Sequence, residues 1–257
     1  MGDIFVQRDG KVVVVGWDLR RLILSRFNRD GTVDPSFGLN GTAVRDLEGF
    51  LGPSRAALDA AGRILVPDSP GCAPCPASVL RFAPDGHADA TFGHDGQAFL
   101  PTRSARLHAV AAADERVVAA GVEWLSRRRL VVARLTPSGI LDSSFGDRGL
   151  AFLPVARTTF VTDIAVQSNG SIVVLTTHFP LNRSTEEPDF MLTRLLPNGS
   201  VDRTFGAAGK ATADFAFSDV GEALAIQPNG KLVVAGVLGQ RPGLYRADAF
   251  GVARFLP

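Results

Sequence analysis

Lysine is nearly missing from this chain: of 27 basic residues, Lys11, Lys210 and Lys231 are the lysines and arginine supplies the rest. Against 26 acidic residues this leaves a formal net charge of +1. No bulk field therefore exists to gather nucleic acid or an acidic membrane surface, and neither partner is expected. No apolar run approaches the roughly 20 residues that cross a bilayer, so membrane insertion is not expected either. The start, Met1-Gly2-Asp3, lacks a charged-then-apolar signal segment. Two readings follow: a cytoplasmic protein, or a chain from which a signal has been removed.

Motifs that carry chemistry are also missing. No GxSxG nucleophile elbow, phosphate-binding loop, HExxH or dinucleotide-binding GxGxxG stands in a suitable context. That weakens an enzymatic reading without removing it, because an active site can also be assembled from residues scattered along the chain.

Cysteine is scarce. Cys72 and Cys75 form one Cys-x-x-Cys in a loop with Pro67, Pro70, Pro74 and Pro76, followed by His87 and His94. A zinc site would want four ligands at such spacings. Both histidines fall at turn positions where corresponding segments carry Thr32, Ile140 and Ser200, or Leu39, Asp147 and Ala207. No metal and no cofactor is therefore expected, and the cysteines are read as a local disulfide or two free thiols. A thioredoxin-like role fails for want of a βαβ context.

What is present is ordinary in bulk, 46% hydrophobic and 21% charged, which favours a packed chain over disorder. A repeat then organises it. Phe-Gly pairs stand at 37–38, 92–93, 145–146 and 205–206, each with an Arg eleven residues before it (Arg26, Arg81, Arg134, Arg194) and a Gly four after it (Gly41, Gly96, Gly149, Gly209). Within each block an Asp/Asn/Ser-Gly turn is followed by Asp34, Asp89, Asp142 or Asp202. These are turn residues with a mechanism: Gly supplies positive φ and Asp bonds nearby amides.

A second element, Gln7 to Lys11 followed by Val12 to Val15, recurs at Gln167 to Leu175 and Gln227 to Ala235, with degraded copies at Asp59 to Val66 and Ala112 to Val118. Each is a turn followed by an apolar run, the pattern of a hairpin. Each unit of roughly 55 residues thus offers four short antiparallel strands, the content of a propeller blade. The expected fold is all-β: a single β-propeller over 1–257 with five blades near 3–52, 53–105, 106–158, 159–218 and 219–257. The fifth unit reaches Arg254 with no following turn or FGxxG. It should be three-stranded, with an open edge that the same protein continued further, or a neighbouring molecule, would complete.

The segments 227–236 (QPNGKLVVAG) and 194–206 (RLLPNGSVDRTFG) resemble the bacterial delta-60 repeat, and the resemblance covers essentially the whole chain. It implies a β-propeller-like fold and a secreted or surface-associated bacterial protein, and it implies no general activity. A Cys-x-x-Cys disulfide would suit that oxidising location.

The repeated Arg and Asp are best read as stabilising every blade, and the repeated Phe as inter-blade core, because a ligand site on an axis breaks the symmetry. Residues that differ between units at the start of the first strand are Asp3, Arg55, His108, Asp163 and Ala223, with Glu222 beside the last. They are the candidates for a polar ligand site, with the solvated rim as the bland alternative. The leading expectation is a non-enzymatic recognition or scaffold module of the envelope or exterior, binding protein or carbohydrate. The alternative is a glycan-acting hydrolase or lyase using His108 and Asp163 as acid and base.

Overall fold

The computed structural model describes residues 2–18, 20–47, 54–69, 75–102, 104–124, 128–156, 159–178, 190–213, 215, 218–240 and 249–256. Among them there are strands and turns and no α-helix, hence no helix long and apolar enough to cross a membrane. The first sheet is β1 (Asp3–Val6), β2 (Val12–Trp17), β3 (Arg21–Phe27) and β4 (Thr42–Asp46), paired in chain order. The second is β5 (Ala57–Leu58), β6 (Ile64–Asp68), β7 (Ser78–Phe82) and β8 (Gln97–Phe99). The third is β9 (Ala105–Ala113), β10 (Arg116–Trp124), β11 (Arg128–Leu135) and β12 (Leu150–Pro154). The fourth is β13 (Thr159–Val166), β14 (Ile172–His178), β15 (Phe190–Leu195) and β16 (Lys210–Ala213). The fifth has three strands, β17 (Ser218–Ile226), β18 (Leu232–Gln240) and β19 (Ala249–Phe255). The last sheet is therefore incomplete, as the strand count in the sequence required.

The hairpins follow from their turns. At Gln7–Lys11 the Gly10 amide donates to the Gln7 carbonyl at 2.8 Å, the Gln7 amide donates to the Lys11 carbonyl at 2.8 Å, and Gly10 has φ 80°. This is a turn closed by a left-handed glycine, the common three-residue hairpin loop. The Asp9 carboxylate accepts from the Lys11 amide at 3.1 Å, and Asn169 and Asn229 repeat the bond to Ser171 and Lys231. In the third sheet the glycine is gone, and Asp114 and Glu115, both at positive φ (46° and 65°), join β9 to β10 in a two-residue loop. That substitution is why this copy of the repeat looks degraded in sequence.

The chain packs as two compact units, 1–119 with 133–142, and 120–132 with 143–257. In the first, alternate residues Val13, Val15, Leu22 and Leu24 of β2 and β3 join Ile64, Val66, Leu80 and Phe82 of β6 and β7 in one core with Phe37. In the second, Val173, Leu175, Phe190 and Leu192 join Leu232 and Val234 with Phe205. The period of two along each strand places one face of a sheet against its neighbour.

Glycine is needed where repeats interlock. A Cβ on Gly139 would lie 2.6 Å from the Gly93 amide nitrogen and 3.0 Å from the Phe92 ring, and one on Gly199 would lie 2.8 Å from the Gly146 nitrogen and 3.1 Å from Phe145. The amides of Gly38, Gly93 and Gly146 each donate at 2.8 Å to a turn carbonyl of the following repeat, those of Asp85, Ser138 and Asn198. The Phe-Gly pair and the Asp-Gly turn are thus two halves of one joint.

Candidate functional site

Each Arg–Asp pair of the repeat is closed. Nε donates to the carboxylate at 2.6 Å in Arg26–Asp34, 2.8 Å in Arg81–Asp89, 3.0 Å in Arg134–Asp142 and 2.8 Å in Arg194–Asp202. Lys11 and Arg116 add a second cation to Asp34 (2.7 Å) and Asp142 (3.0 Å). The guanidinium lies over the ring of its own repeat: Arg26 over Phe37 at 4.8 Å, Arg81 over Phe92 at 4.3 Å, Arg194 over Phe205 at 4.4 Å. It also reaches forward, Arg26 Nη1 donating to the Pro84 carbonyl at 2.6 Å and Arg81 Nη1 to that of Pro137 at 2.7 Å. The other carboxylate oxygen turns back on its own loop, where Asp34, Asp89 and Asp202 accept from Ser36, Thr91 and Thr204. Lys11 first, then Ser36, hold the Asp34 carboxyl well below its ordinary range, and for Asp202 the Thr204 hydroxyl is the largest cause. Such bonds favour the charged form.

In the first unit three candidate residues come together. Asp3, near the start of β1, accepts the Ala56 amide on Oδ2 at 2.7 Å, and its Oδ1 meets Arg55 Nη1 at 3.4 Å. The Arg55 amide donates to the His108 carbonyl at 2.7 Å, and the Arg55 carbonyl accepts from Val110 at 3.1 Å, a parallel bridge between the first strands of adjoining repeats. The His108 imidazole is half-buried, and its Nε2 is enclosed with no hydrogen-bond partner among the described residues. Burial, with the Arg106 charge adding to it, pushes its pKa down to about 4. At neutral pH it is an uncharged ring and a weak base.

In the second unit Asp163 follows a bulge in β13 and accepts the Leu224 amide on Oδ2 at 2.7 Å and the Ile164 amide on Oδ1 at 2.8 Å. Leu224 stands one residue beyond Ala223, as Ala56 stands one beyond Arg55, so Asp163 repeats the bond that Asp3 makes. Glu222 and Ala223 are exposed beside a second bulge. Asp3 and Asp163 are therefore ties from one sheet to the first strand of the next.

Two hydroxyls do similar work at one register position. Ser69 Oγ accepts the Leu107 amide at 2.7 Å, and Thr177 Oγ1 accepts the Gly221 amide at 3.0 Å. The first repeat holds Trp17 at that position, so the sequence pattern hides the role. A further cluster breaks the repeat symmetry. Arg128 stacks on Trp124 at 3.4 Å, Trp124 faces Phe160 at 6.5 Å, and buried Glu123 accepts from Arg129 at 2.6 Å.

Cys75 is disulfide-bonded, and the chain's other cysteine, Cys72, lies outside the described residues. Among the described residues no three His, Cys, Asp or Glu side chains gather as a metal site. His87, exposed in its turn, sits 3.3 Å from Asp85.

A family model described as "Domain of unknown function (DUF5122) beta-propeller" matches residues 7–37 and 112–145. None of the curated proteins matches the sequence. Among solved structures, a Bacteroides caccae protein of unknown function is 13% identical, with 94% of this chain and 72% of that chain covered and a TM-score of 0.50. A Dyadobacter fermentans protein of unknown function is 11% identical, with 94% and 75% covered and a TM-score of 0.47. An endo-arabinanase of Bacillus licheniformis is 9% identical, with 98% and 92% covered and a TM-score of 0.47. At such identities likeness bears on fold and not on activity. The five meander sheets and the matched family model agree: this chain is an all-β protein of β-propeller blades, the last of them incomplete.

Proposed function

We propose that this chain is a non-enzymatic recognition or scaffold β-propeller of the bacterial envelope or exterior, binding protein or carbohydrate through its loops. The observation that carries the proposal is the engagement of Asp3 and Asp163. Asp3 and Asp163 each accept a backbone amide of the neighbouring sheet at 2.7 Å. A general acid needs a carboxyl that trades its proton with substrate, and an oxygen bound to a structural amide is poorly placed for that. His108, with its pKa down at about 4, is a poor proton donor near pH 7. The bonded Cys75 suits an oxidising compartment, and the net charge of +1 gives nucleic acid no purchase. The recognition surface is placed where the repeat breaks, at Trp124, Arg128 and Phe160, since Trp and Arg dominate binding hot spots.

The test is a glycan array and a pull-down with the purified protein, joined to an assay for new reducing or unsaturated sugar ends on every glycan retained. Retention without product, weakened at least tenfold by Trp124→Ala, is the expected result. Product that disappears in Asp163→Asn or His108→Ala would establish the hydrolase or lyase reading instead.

A further inference from the structure

Between the third and fourth sheets, wholly inside the second unit, lies a cavity of about 390 Å³. Leu130 of β11 and Leu153 of β12, with Met191 of β15 and Val201 from the turn after it, give it apolar walls. Arg203 and Lys210 bring two exposed cations to the same cavity. Among the described residues no carboxylate lines it and neither cation has an ion-pair partner.

The repeat shows how the same place is closed elsewhere. Between the first and second sheets, inside the first unit, Arg45 of β4 donates to the Gln97 side-chain oxygen at 3.1 Å and stands 3.6 Å from the Asp95 carboxylate. Counted from Gly41, Gly96, Gly149 and Gly209, Leu153 holds the position of Arg45, Ala208 that of Asp95 and Lys210 that of Gln97. In the second unit both members of the ion pair have thus become apolar, and a cation stands where the amide stood. Arg203 is a second departure, since the other repeats hold Pro35, Ala90 and Ser143 at its position. Ala208 keeps φ at 54°, beside 51° for Asp95. That left-handed backbone favours Asp and Asn over Ala, so the carboxylate is missing from a place whose conformation suits it.

We propose that this cavity binds a small organic acid, its carboxylate meeting Lys210 and Arg203 where the repeat lacks its own, and its apolar body lying on Leu130, Leu153, Met191 and Val201. The cavity has the size of a small-molecule site, and an apolar lining with a few convergent polar groups is the composition of such sites. A guanidinium can take a carboxylate through two parallel bonds, and the ammonium meets it as a point charge. Two cations without a neighbouring carboxylate repel a cationic ligand, and the apolar walls give a bare inorganic anion or a neutral sugar little to hold. The inference uses none of the residues of the recognition proposal and survives its failure.

The experiment is calorimetric titration of the purified protein with phenylbutyrate, cyclohexylacetate and octanoate, and with the primary amide of each, which keeps the body and loses the charge. At least one acid should bind saturably at one site, and its amide at least about tenfold more weakly. Lys210→Gln, which restores the side chain of the second repeat, should weaken that acid about tenfold. Ala208→Asp, which restores the carboxylate, should weaken it at least as much by engaging the cations from within. Both positions are exposed, and unchanged urea midpoints check that the variants keep the fold. No saturable binding by any of the acids, equal affinity for acid and amide, binding unmoved by both substitutions, or displacement of the acid by equimolar inorganic phosphate would overturn the proposal.

Discussion

Arginine 81 shows what the repeated charged residues do. Its side chain is fully buried, paired with Asp89, stacked on Phe92 and bonded to the Pro137 carbonyl. Removing one partner of a buried pair leaves the other uncompensated, so Arg81→Leu should lower stability by about 3–5 kcal/mol in urea denaturation. Arg81→Leu with Asp89→Leu should lose less than that single change, because no lone charge remains. A double variant as weak as the sum of the singles would mean the two residues act separately. His108 gives a pH signature. With its pKa down at about 4 in the folded chain and 6.5 as the ordinary value, the unfolded chain binds a proton first as pH falls. Stability from the neutral ring is whole above pH 6.5 and drains away between 6.5 and about 4, by up to roughly 3 kcal/mol. Replacement by Phe should flatten that stretch of the curve. A wild-type curve already flat between pH 6.5 and 4 would show that the ring protonates freely in the folded protein. Losses below pH 4 belong to the depressed carboxylates Asp34, Asp89 and Asp202, whose stabilisation is present above their ordinary pKa and lost as acid protonates them.

At the scale of the element, the joint between Phe-Gly and the next Asp-Gly turn can be tested by comparing glycines that share a conformation and differ in surroundings. Gly31 (φ 85°) has nothing within 4 Å of an added Cβ, while Gly139 (φ 81°) has the Gly93 nitrogen at 2.6 Å and the Phe92 ring at 3.0 Å. Gly31→Ala should cost only the about 1–2 kcal/mol of holding alanine left-handed. Gly139→Ala should cost clearly more, and equal urea midpoints would refute the joint. Phe145→Ala, which empties a fully buried site, should cost about 3–5 kcal/mol.

These elements were largely legible in the sequence because Gly and Asx at fixed offsets dictate the hairpins, and alternating valines dictate the faces. The three-stranded last sheet followed from the missing turn after Arg254. Less legible was what the inner positions do. Register singled out Asp3, Arg55, His108, Asp163 and Glu222 as differing between repeats, but a period along the chain carries no information on which amide lies opposite a carboxylate. Ser69 and Thr177 escaped notice for the same reason, and because Trp17 occupies their position in the first repeat. The sequence also pointed to an open edge on the last sheet, to be completed by the same protein continued further or by a neighbouring molecule. The structure puts the exposed apolar side chains, Phe250 and Val252, on the face of that sheet.

For the molecule as a whole, one device recurs within each unit: a sheet is bound to the next by apolar faces, by the Phe-Gly joint, and by carboxylates or hydroxyls accepting amides from the adjoining first strand. The proposed recognition role leaves those ties intact. The claim that Asp163 is a tie and not a catalyst is tested most directly by equilibrium urea denaturation of Asp163→Ala beside the wild type. Two amides, of Leu224 and Ile164, would lose a charged acceptor. The expected loss is about 1–3 kcal/mol with an unchanged denaturant slope. Residues kept for activity are commonly neutral or costly to stability, so an unchanged or raised midpoint would contradict the account and return Asp163 to the candidates for catalysis.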